Sequence, residues 1–288
     1  MRTERLDCGL LCFCFARWME MYGEVWYNLG NNAEVKKMGI MDAFDRDGEE
    51  IIKAVNNVRR IEDFPETVLV VFSAKVCRLF LNKYGAVKIG ALYAAGMELP
   101  IYRFEYKGVK MGFFATVLGG AGSAALLEEL IALGAEKLLY FGSCGALHKE
   151  IAEGRLLVPT AAYRDEGVSY HYAEASDYLE IESAPELMRI LDELKVPYHA
   201  TKTWTTDAFY RETRRNLKKR KAEGCGVVEM ECASIMAVGQ FRKKKVCQFL
   251  YAADCLSDSD WNKRILGNMP VDLRERILMV AIEVAIRL

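Results

Sequence analysis

From Phe64 onward, short apolar segments typical of strands alternate with segments of helical periodicity. TVLVVF (67–72) precedes the helical pattern AKVCRLFLNKYG, and VVEM (227–230) leads directly into ECASIMAVGQFRKKK. This alternation predicts an α/β fold, a single domain in which a mixed central β-sheet is flanked by helices. Ligands of such folds bind beyond the carboxyl ends of the strands, so we expect the functional residues there.

Residues 1–37 differ from the rest, being rich in Cys, Trp and Met and weakly periodic. We therefore divide the chain into an N-terminal leader, 1–37, and a catalytic domain, 38–288. Cys8, Cys12 and Cys14 in the leader match no common zinc spacing, and we predict no metal. The nine cysteines are an odd number, which indicates reduced thiols and a cytoplasmic protein.

The net charge of −1 gives no general attraction to nucleic acid or to an anionic membrane. No apolar run reaches 18 residues, so no membrane-spanning helix is predicted. A small anionic ligand would have to be bound by local groups. We expect the partners to be small molecules, with no nucleic acid and no membrane.

FGSCGAL is a candidate anion-binding segment. A strand is predicted to end at Phe141, and Gly142, Ser143 and Gly145 are predicted to form a tight turn. Glycine lets backbone N–H groups approach an anion, and the Ser143 hydroxyl adds a donor. The alternative is a plain connection between a strand and a loop.

VVEMECAS places two carboxylates, Glu229 and Glu231, on either side of Met230 at the end of an apolar strand. In β geometry both would point to the same side. A buried carboxylate is unfavourable unless it is paired or binds something, and vicinal hydroxyls such as those of a ribose are suitable donors. The alternative is an acid at a helix N-terminus, a role that suits Glu231.

Asp254 follows the buried strand-type run that begins at Val246. Partial desolvation there would raise its pKa toward neutrality, as a general acid requires. The alternative is a helix N-cap, a role that Ser257 or Asp258 would share. In WTTDAFYRETR, Phe209 is a candidate for stacking on a base.

In this order and spacing, GSCGAL, TTDAFY, VVEMECAS and the strand ending in Asp254 resemble the nucleoside phosphorylase family, which includes purine nucleoside phosphorylase, uridine phosphorylase and related nucleosidases. The resemblance covers about Phe64 to Leu288. RDEGVSYHYA is similar to a feature of the uridine phosphorylase-like members. No cofactor is implied beyond inorganic phosphate as co-substrate, and the family forms homo-oligomers from dimers to hexamers.

The resemblance implies a role for each matching residue. Glu231 and Met230 would hold the ribose, Asp254 would protonate a purine at N7, and Arg264 would assist it. The remaining substrate-binding positions are Val228, Glu229, Phe209, Ser143, Gly142 and Arg215, of which Arg215 matches an arginine that reads uracil. Ser143 and Gly142 match part of the phosphate site.

Two departures from the family pattern lie at the phosphate site. Phe72 and Ser73 stand in place of Gly-Asp after the first strand, and Tyr140 stands in place of an arginine before GSCG. Ser73, Lys75, Arg78 or Arg164 would have to compensate, because cations and backbone donors together can hold phosphate. If none does, water is the nucleophile.

The sequence therefore predicts a pentosyltransferase that cleaves a nucleoside by phosphorolysis, with a purine slightly preferred. Three alternatives stay open: a uridine phosphorylase, a nucleosidase that uses water, and a non-catalytic nucleoside-binding protein.

Overall fold

The computed structural model describes residues 39–256 and 260–288. The predicted leader 1–37, with Cys8, Cys12 and Cys14, lies outside the described residues, as do Ser257 and Asp258. Within the described segments, no helix has the length and apolar character needed to span a bilayer.

Strands and helices alternate as predicted. The strands are β1 (Thr67–Val71), β2 (Val87–Ala94), β3 (Met97–Tyr106), β4 (Val109–Ala115), β5 (Lys137–Ala146), β6 (Leu156–Asp165), β7 (Tyr178–Glu180), β8 (Tyr198–Thr206), β9 (Cys225–Glu229), β10 (Lys245–Leu256) and β11 (Trp261–Asn262). The helices are α1 (Ala74–Tyr84), α2 (Gly120–Leu133), α3 (Ala184–Glu193), α4 (Arg214–Ala222), α5 (Cys232–Phe241) and α6 (Val271–Ala285).

The strands form one mixed sheet, which confirms the predicted fold class. β1 lies between β4 and β5 and is parallel to both, while the hairpins β2–β3 and β3–β4 extend the sheet on the β4 side. On the other side, β5 pairs with β10, β10 with β6, β6 with β8, β8 with β9, and β9 again with β5. These five strands close into a ring, which we call the strand ring.

The core follows from the run of apolar residues in the central strands. Val68, Leu69 and Val70 of β1 are fully buried, as a strand covered on both faces requires. Helices α1 and α6 contact one another beside β1 and β5, and α2 packs against α5. The helices thus cover the sheet, as the helical periodicity between the strands predicted.

The predicted tight turn at Gly142, Ser143 and Gly145 is wrong. β5 continues as a strand to Ala146, because β10 pairs with it along its whole length and β9 pairs with its last two residues. The irregularity lies in β10 instead, where a bulge between Ala252 and Asp254 shifts the register. A bulge re-aims the side chain next to it, here Asp254.

Candidate active site

The junction between β9 and α5 holds both predicted carboxylates, but in different positions. β9 ends at Glu229, and Glu231 is the N-cap residue of α5. The expectation that the two side chains project from one face of a strand is therefore wrong, because the helix begins before the β alternation reaches Glu231.

Glu229 is buried and saturated with hydrogen bonds. It accepts from the hydroxyls of Thr203 (3.2 Å) and Thr205 (2.6 Å) and from the backbone N–H groups of Glu231 (2.8 Å) and Cys232 (2.7 Å). Burial raises its pKa, and these donors act in the opposite direction. A carboxylate offers about four acceptor sites, so the predicted direct substrate contact of Glu229 is at odds with this geometry. Glu229 instead satisfies the first N–H groups of α5.

Glu231 is equally buried, 6% exposed, but has far fewer partners. Its Oε1 accepts from the backbone N–H of Gly119 at 2.6 Å. Burial, reinforced by the nearby Glu229, raises the pKa of Glu231 to about 8, although the N–H groups of Gly119 and Met230 act against this. Gly119 has a φ of 92°, where a side chain would be strained. Its backbone conformation thus presents the N–H to Glu231 and leaves that carboxylate with unused acceptor capacity.

Asp254 lies inside β10 rather than at a helix N-terminus, which removes the N-cap alternative. Burial raises its pKa, while a hydrogen bond from the Trp261 indole to Oδ2 (2.6 Å) and the charge of Arg264 lower it. A Cβ added at Gly145 would lie 3.5 Å from Oδ1 of Asp254 and 3.1 Å from Val228 Cγ1. The structure therefore brings Asp254 and Val228 together around Gly145.

Glu212 is a carboxylate near Asp254 that the sequence analysis missed. It follows the short 3-10 helix Phe209–Arg211, and burial together with the charge of Asp254 raises its pKa to about 7. Phe209 is 43% exposed and contacts Tyr210, with ring centroids 3.9 Å apart. Arg215 is exposed in the first turn of α4.

Two of the predicted arginines are engaged with backbone elsewhere. Arg164 is buried and donates to Ser169, Ser176 and the carbonyls of Ala173 and Glu174, so it holds its own loop together. Its predicted role as a phosphate ligand would require it to leave these partners, because each of its three guanidinium nitrogens already has an acceptor. Nothing in its sequence position revealed this loop contact.

Arg264 donates to the carbonyls of Ile151 (2.6 Å) and Lys149 (3.2 Å). It influences Asp254 through its charge, whereas the group that donates directly to Asp254 is Trp261. The guanidinium of the predicted assisting arginine thus anchors the loop after β5.

Aromatic side chains fill the space beside Gly142. A Cβ on Gly142 would come within 2.8 Å of the Phe72 ring, and the Phe72 and Tyr140 ring centroids are 6.1 Å apart. Tyr140 is fully buried, and its hydroxyl has no hydrogen-bond partner among the described residues. Gln248, its register partner on β10, is also buried, and its amide has no partner in the same part of the chain. Phe72 and Tyr140 thus make this part of the site apolar.

Ser73, Lys75 and Ser143 line one cavity of about 210 Å³. Ser73 caps α1, accepting from the N–H of Val76 at 3.3 Å, and Lys75 Nζ donates to the carbonyl of Gly267. The structure therefore brings together three of the predicted phosphate ligands. Arg78, the further candidate, is exposed on α1.

Comparison with known proteins matches this chain to one family. The profile of the phosphorylase superfamily matches residues 66–276. A uridine phosphorylase from Thermococcus kodakarensis is 34% identical over 131 residues, which are 43% of this chain and 47% of that protein. A purine nucleoside phosphorylase from Plasmodium vivax is 29% identical over 201 residues, 68% of this chain and 81% of that protein.

Among solved structures, an AMP nucleosidase from Bacteroides thetaiotaomicron superposes with a TM-score of 0.61 at 20% identity. The superposition covers 78% of this chain and 89% of that one. At this identity the likeness establishes the fold, while the profile match covers all the motifs that carried the resemblance.

Proposed function

Because the chain belongs to the phosphorylase superfamily, we propose that it cleaves the N-glycosidic bond of a nucleoside by phosphorolysis, with a purine preferred. The products are the free base and ribose 1-phosphate. The supporting observation is the contrast at the β9–α5 junction, where Glu229 is saturated and Glu231 keeps unused acceptor capacity. A buried carboxylate of this kind suits two vicinal hydroxyl donors.

In the proposed reaction, Glu231 accepts hydrogen bonds from the 2′ and 3′ hydroxyls and fixes the ribose, and Met230 packs on the sugar. A phosphate oxygen forms a bond to C1′ while the bond from C1′ to the base nitrogen breaks. The bonding electron pair leaves with the base, which takes up a proton. The negative charge of phosphate stabilises the positive charge that develops on the sugar.

Asp254 supplies the proton to N7 of a purine. Its raised pKa increases the protonated fraction near neutral pH, and Trp261 binds Oδ2, which leaves Oδ1 to carry the proton. A pyrimidine has no N7, so this acid has a purpose only with a purine. We expect Asp254→Asn to lose about 10²- to 10⁴-fold in turnover of a purine nucleoside, the usual range for general acid catalysis.

Steady-state kinetics with inosine and adenosine test this role. Glu223→Gln, just after the C-terminal end of α4, serves as the matched control, since Glu223 pairs with Arg220 and Tyr178 instead. Unchanged turnover in Asp254→Asn would remove Asp254 from the acid role.

Hydrolysis by water is the second candidate, and the aromatic contacts at Gly142 favour it. Phe72 occupies the space next to that glycine, and Tyr140 offers a hydroxyl without any charge. A dianion loses more hydration free energy than water does when it enters a neutral, apolar site, so this surface favours water.

Product analysis separates the candidates. The purified protein is incubated with inosine, adenosine, guanosine and uridine, each with and without phosphate, and bases and sugars are separated by chromatography. We expect purine base and ribose 1-phosphate, formed only when phosphate is present. Free ribose without phosphate dependence would indicate a nucleosidase, and release of uracil alone would indicate a uridine phosphorylase.

A further inference from the structure

The wall of the cavity beside Ser143 includes a cationic side chain that the sequence analysis did not identify. Besides Ser73, Lys75 and Ser143, its wall includes Arg274 from the first turns of α6. The remaining lining residues are Phe72, Tyr251, Ala253, Ile265, Leu266, Gly267 and Met269. None of these lining residues is acidic, so the cavity is lined by two cations and by the hydroxyls of Ser73, Ser143 and Tyr251, with no compensating carboxylate among the described residues that line it.

Both cationic side chains donate hydrogen bonds to backbone carbonyls. Lys75 Nζ donates to the carbonyl of Gly267, and Arg274 donates to the carbonyl of Met269 at 2.8 Å. Neither forms an ion pair with a carboxylate of the described residues. The nearby Arg276 on the same helix differs, since it pairs with Asp272 at 3.0 Å.

Neutral carbonyls are weaker acceptors for a cation than phosphate oxygens are, because the opposite charges of the cation and the phosphate add a Coulomb attraction to the hydrogen bond. Ser73 and Lys75 also lie at the N-terminus of α1, an 11-residue helix, where the N–H groups favour an anion. An anion that enters the cavity can therefore replace the carbonyls of residues 267–269 as the hydrogen-bond acceptor of both cations.

We propose that Arg274 and Lys75 together bind a phosphate group in this cavity, exchanging the carbonyls of Met269 and Gly267 for phosphate oxygens. Ser73 and Ser143 donate their hydroxyls to the same group. This assignment rests on the proposed function, and it supplies from α6 the cation that is missing at Tyr140. The bound group is either inorganic phosphate or the phosphate of a nucleotide.

The test compares Arg274→Gln with Arg276→Gln, two neutralised arginines one helical half-turn apart. Thermal shift is titrated with inorganic phosphate and with AMP, using adenosine as the ligand without a phosphate. The phosphate and nucleoside KM values are measured in parallel. A hydrogen bond to a charged group contributes about 1.5–3 kcal/mol, so we expect Arg274→Gln to weaken phosphate binding about 10- to 150-fold. The nucleoside KM and the Arg276→Gln variant should stay within about twofold of wild type.

Arg274→Lys guards against a folding defect, since it keeps the charge and should recover part of the phosphate affinity. If the wild type forms ribose 1-phosphate but Arg274→Gln leaves phosphate affinity unchanged, this inference is wrong while the proposed function stands. If the wild type releases base without phosphate, yet Arg274→Gln abolishes a thermal shift caused by phosphate or AMP, the inference stands and phosphorolysis is wrong. A wild type that responds to neither ligand overturns both, and a shift with AMP alone identifies a nucleotide as the source.

Discussion

The proposed ribose end and the proposed anion end of the site are built in opposite ways. At the ribose end, Glu229 is fully hydrogen-bonded and fixes the start of α5, so Glu231 is held in place before any ligand arrives. At the anion end, Lys75 and Arg274 are bound to carbonyls of residues 267–269 and must change partner to bind a ligand. The first end is preorganised for binding, whereas the second requires an exchange of hydrogen bonds.

Replacing Glu231 tests the preorganised end. It should change the kinetic constants more than a substitution of Phe72 at the anion end does. Above about pH 8, where Glu231 is ionised, Glu231→Gln keeps the shape but replaces a charged acceptor with a neutral one. Two hydrogen bonds to a charged group become ordinary ones, each weaker by about 1 kcal/mol. We therefore expect a loss of about 10- to 100-fold in kcat/KM.

Substrates without the 2′ and 3′ hydroxyls provide the control for Glu231. If the carboxylate acts through those hydroxyls, the variant and the wild type should process a 2′,3′-dideoxynucleoside equally slowly. An undiminished penalty on the dideoxy substrate would show that Glu231 acts elsewhere, and the contrast between the two ends would lose its basis.

Phe72→Gly sharpens the comparison at the anion end. Removing the ring uncovers the backbone of Gly142 and adds about one donor for a phosphate group. One hydrogen bond contributes about 0.5–1.5 kcal/mol, so the phosphate KM should fall by about 2- to 12-fold. Phe72→Leu retains an apolar side chain and is the matched control. A phosphate KM that rises in Phe72→Gly would mean that the ring supports the anion site rather than restricting it.

The last prediction concerns the pH dependence of stability at the proposed ribose end. The pKa of Glu231 is about 8 in the folded protein, against 4.5 for a glutamate free of these contacts, as in the unfolded chain. The folded form therefore retains a proton that the unfolded form releases between these two pH values. The stabilisation is fully present below about pH 4.5 and is lost as the pH rises toward 8. The Tm of the wild type should therefore fall more steeply than that of Glu231→Gln between about pH 5 and about pH 8.5.

Differential scanning calorimetry of both proteins measures this. Glu212, whose pKa is about 7, contributes equally to both and cancels in the difference. Parallel declines of Tm would indicate that the Glu231 carboxyl is ionised in the folded protein well below pH 8.

Local patterns predicted the fold and located the β9–α5 junction, because both depend on residues close in the chain. The apolar periodicity located β1, β9 and α5, and the spacing of Glu229 and Glu231 marked their junction. The same pattern could not predict which of the two acids is saturated with hydrogen bonds. That depends on Thr203, Thr205 and Gly119, which lie in other parts of the chain.

Local patterns indicated only part of the proposed anion end, namely Ser73, Lys75 and Ser143. Gly142 to Gly145 resemble a turn locally, and only the pairing with β10 and β9 makes them a strand. Arg164 carries a charge suited to phosphate, but its loop already supplies an acceptor to each of its three guanidinium nitrogens. Arg274 belongs to an amphipathic helix, and nothing in that periodicity indicates that the helix reaches the end of β1.

The strand ring also bears on how the protein opens. Each of its five strands has a hydrogen-bonded neighbour on both sides, whereas β2 lies at an edge of the sheet. Local unfolding begins where backbone hydrogen bonds are exposed, so amide exchange is fastest at such edges and slowest in closed elements. Glu229 and Asp254 both lie on strands of the ring. The carboxylates are therefore carried by the part of the molecule that unfolds last, and fluctuations of the β2–β3 hairpin leave them in register.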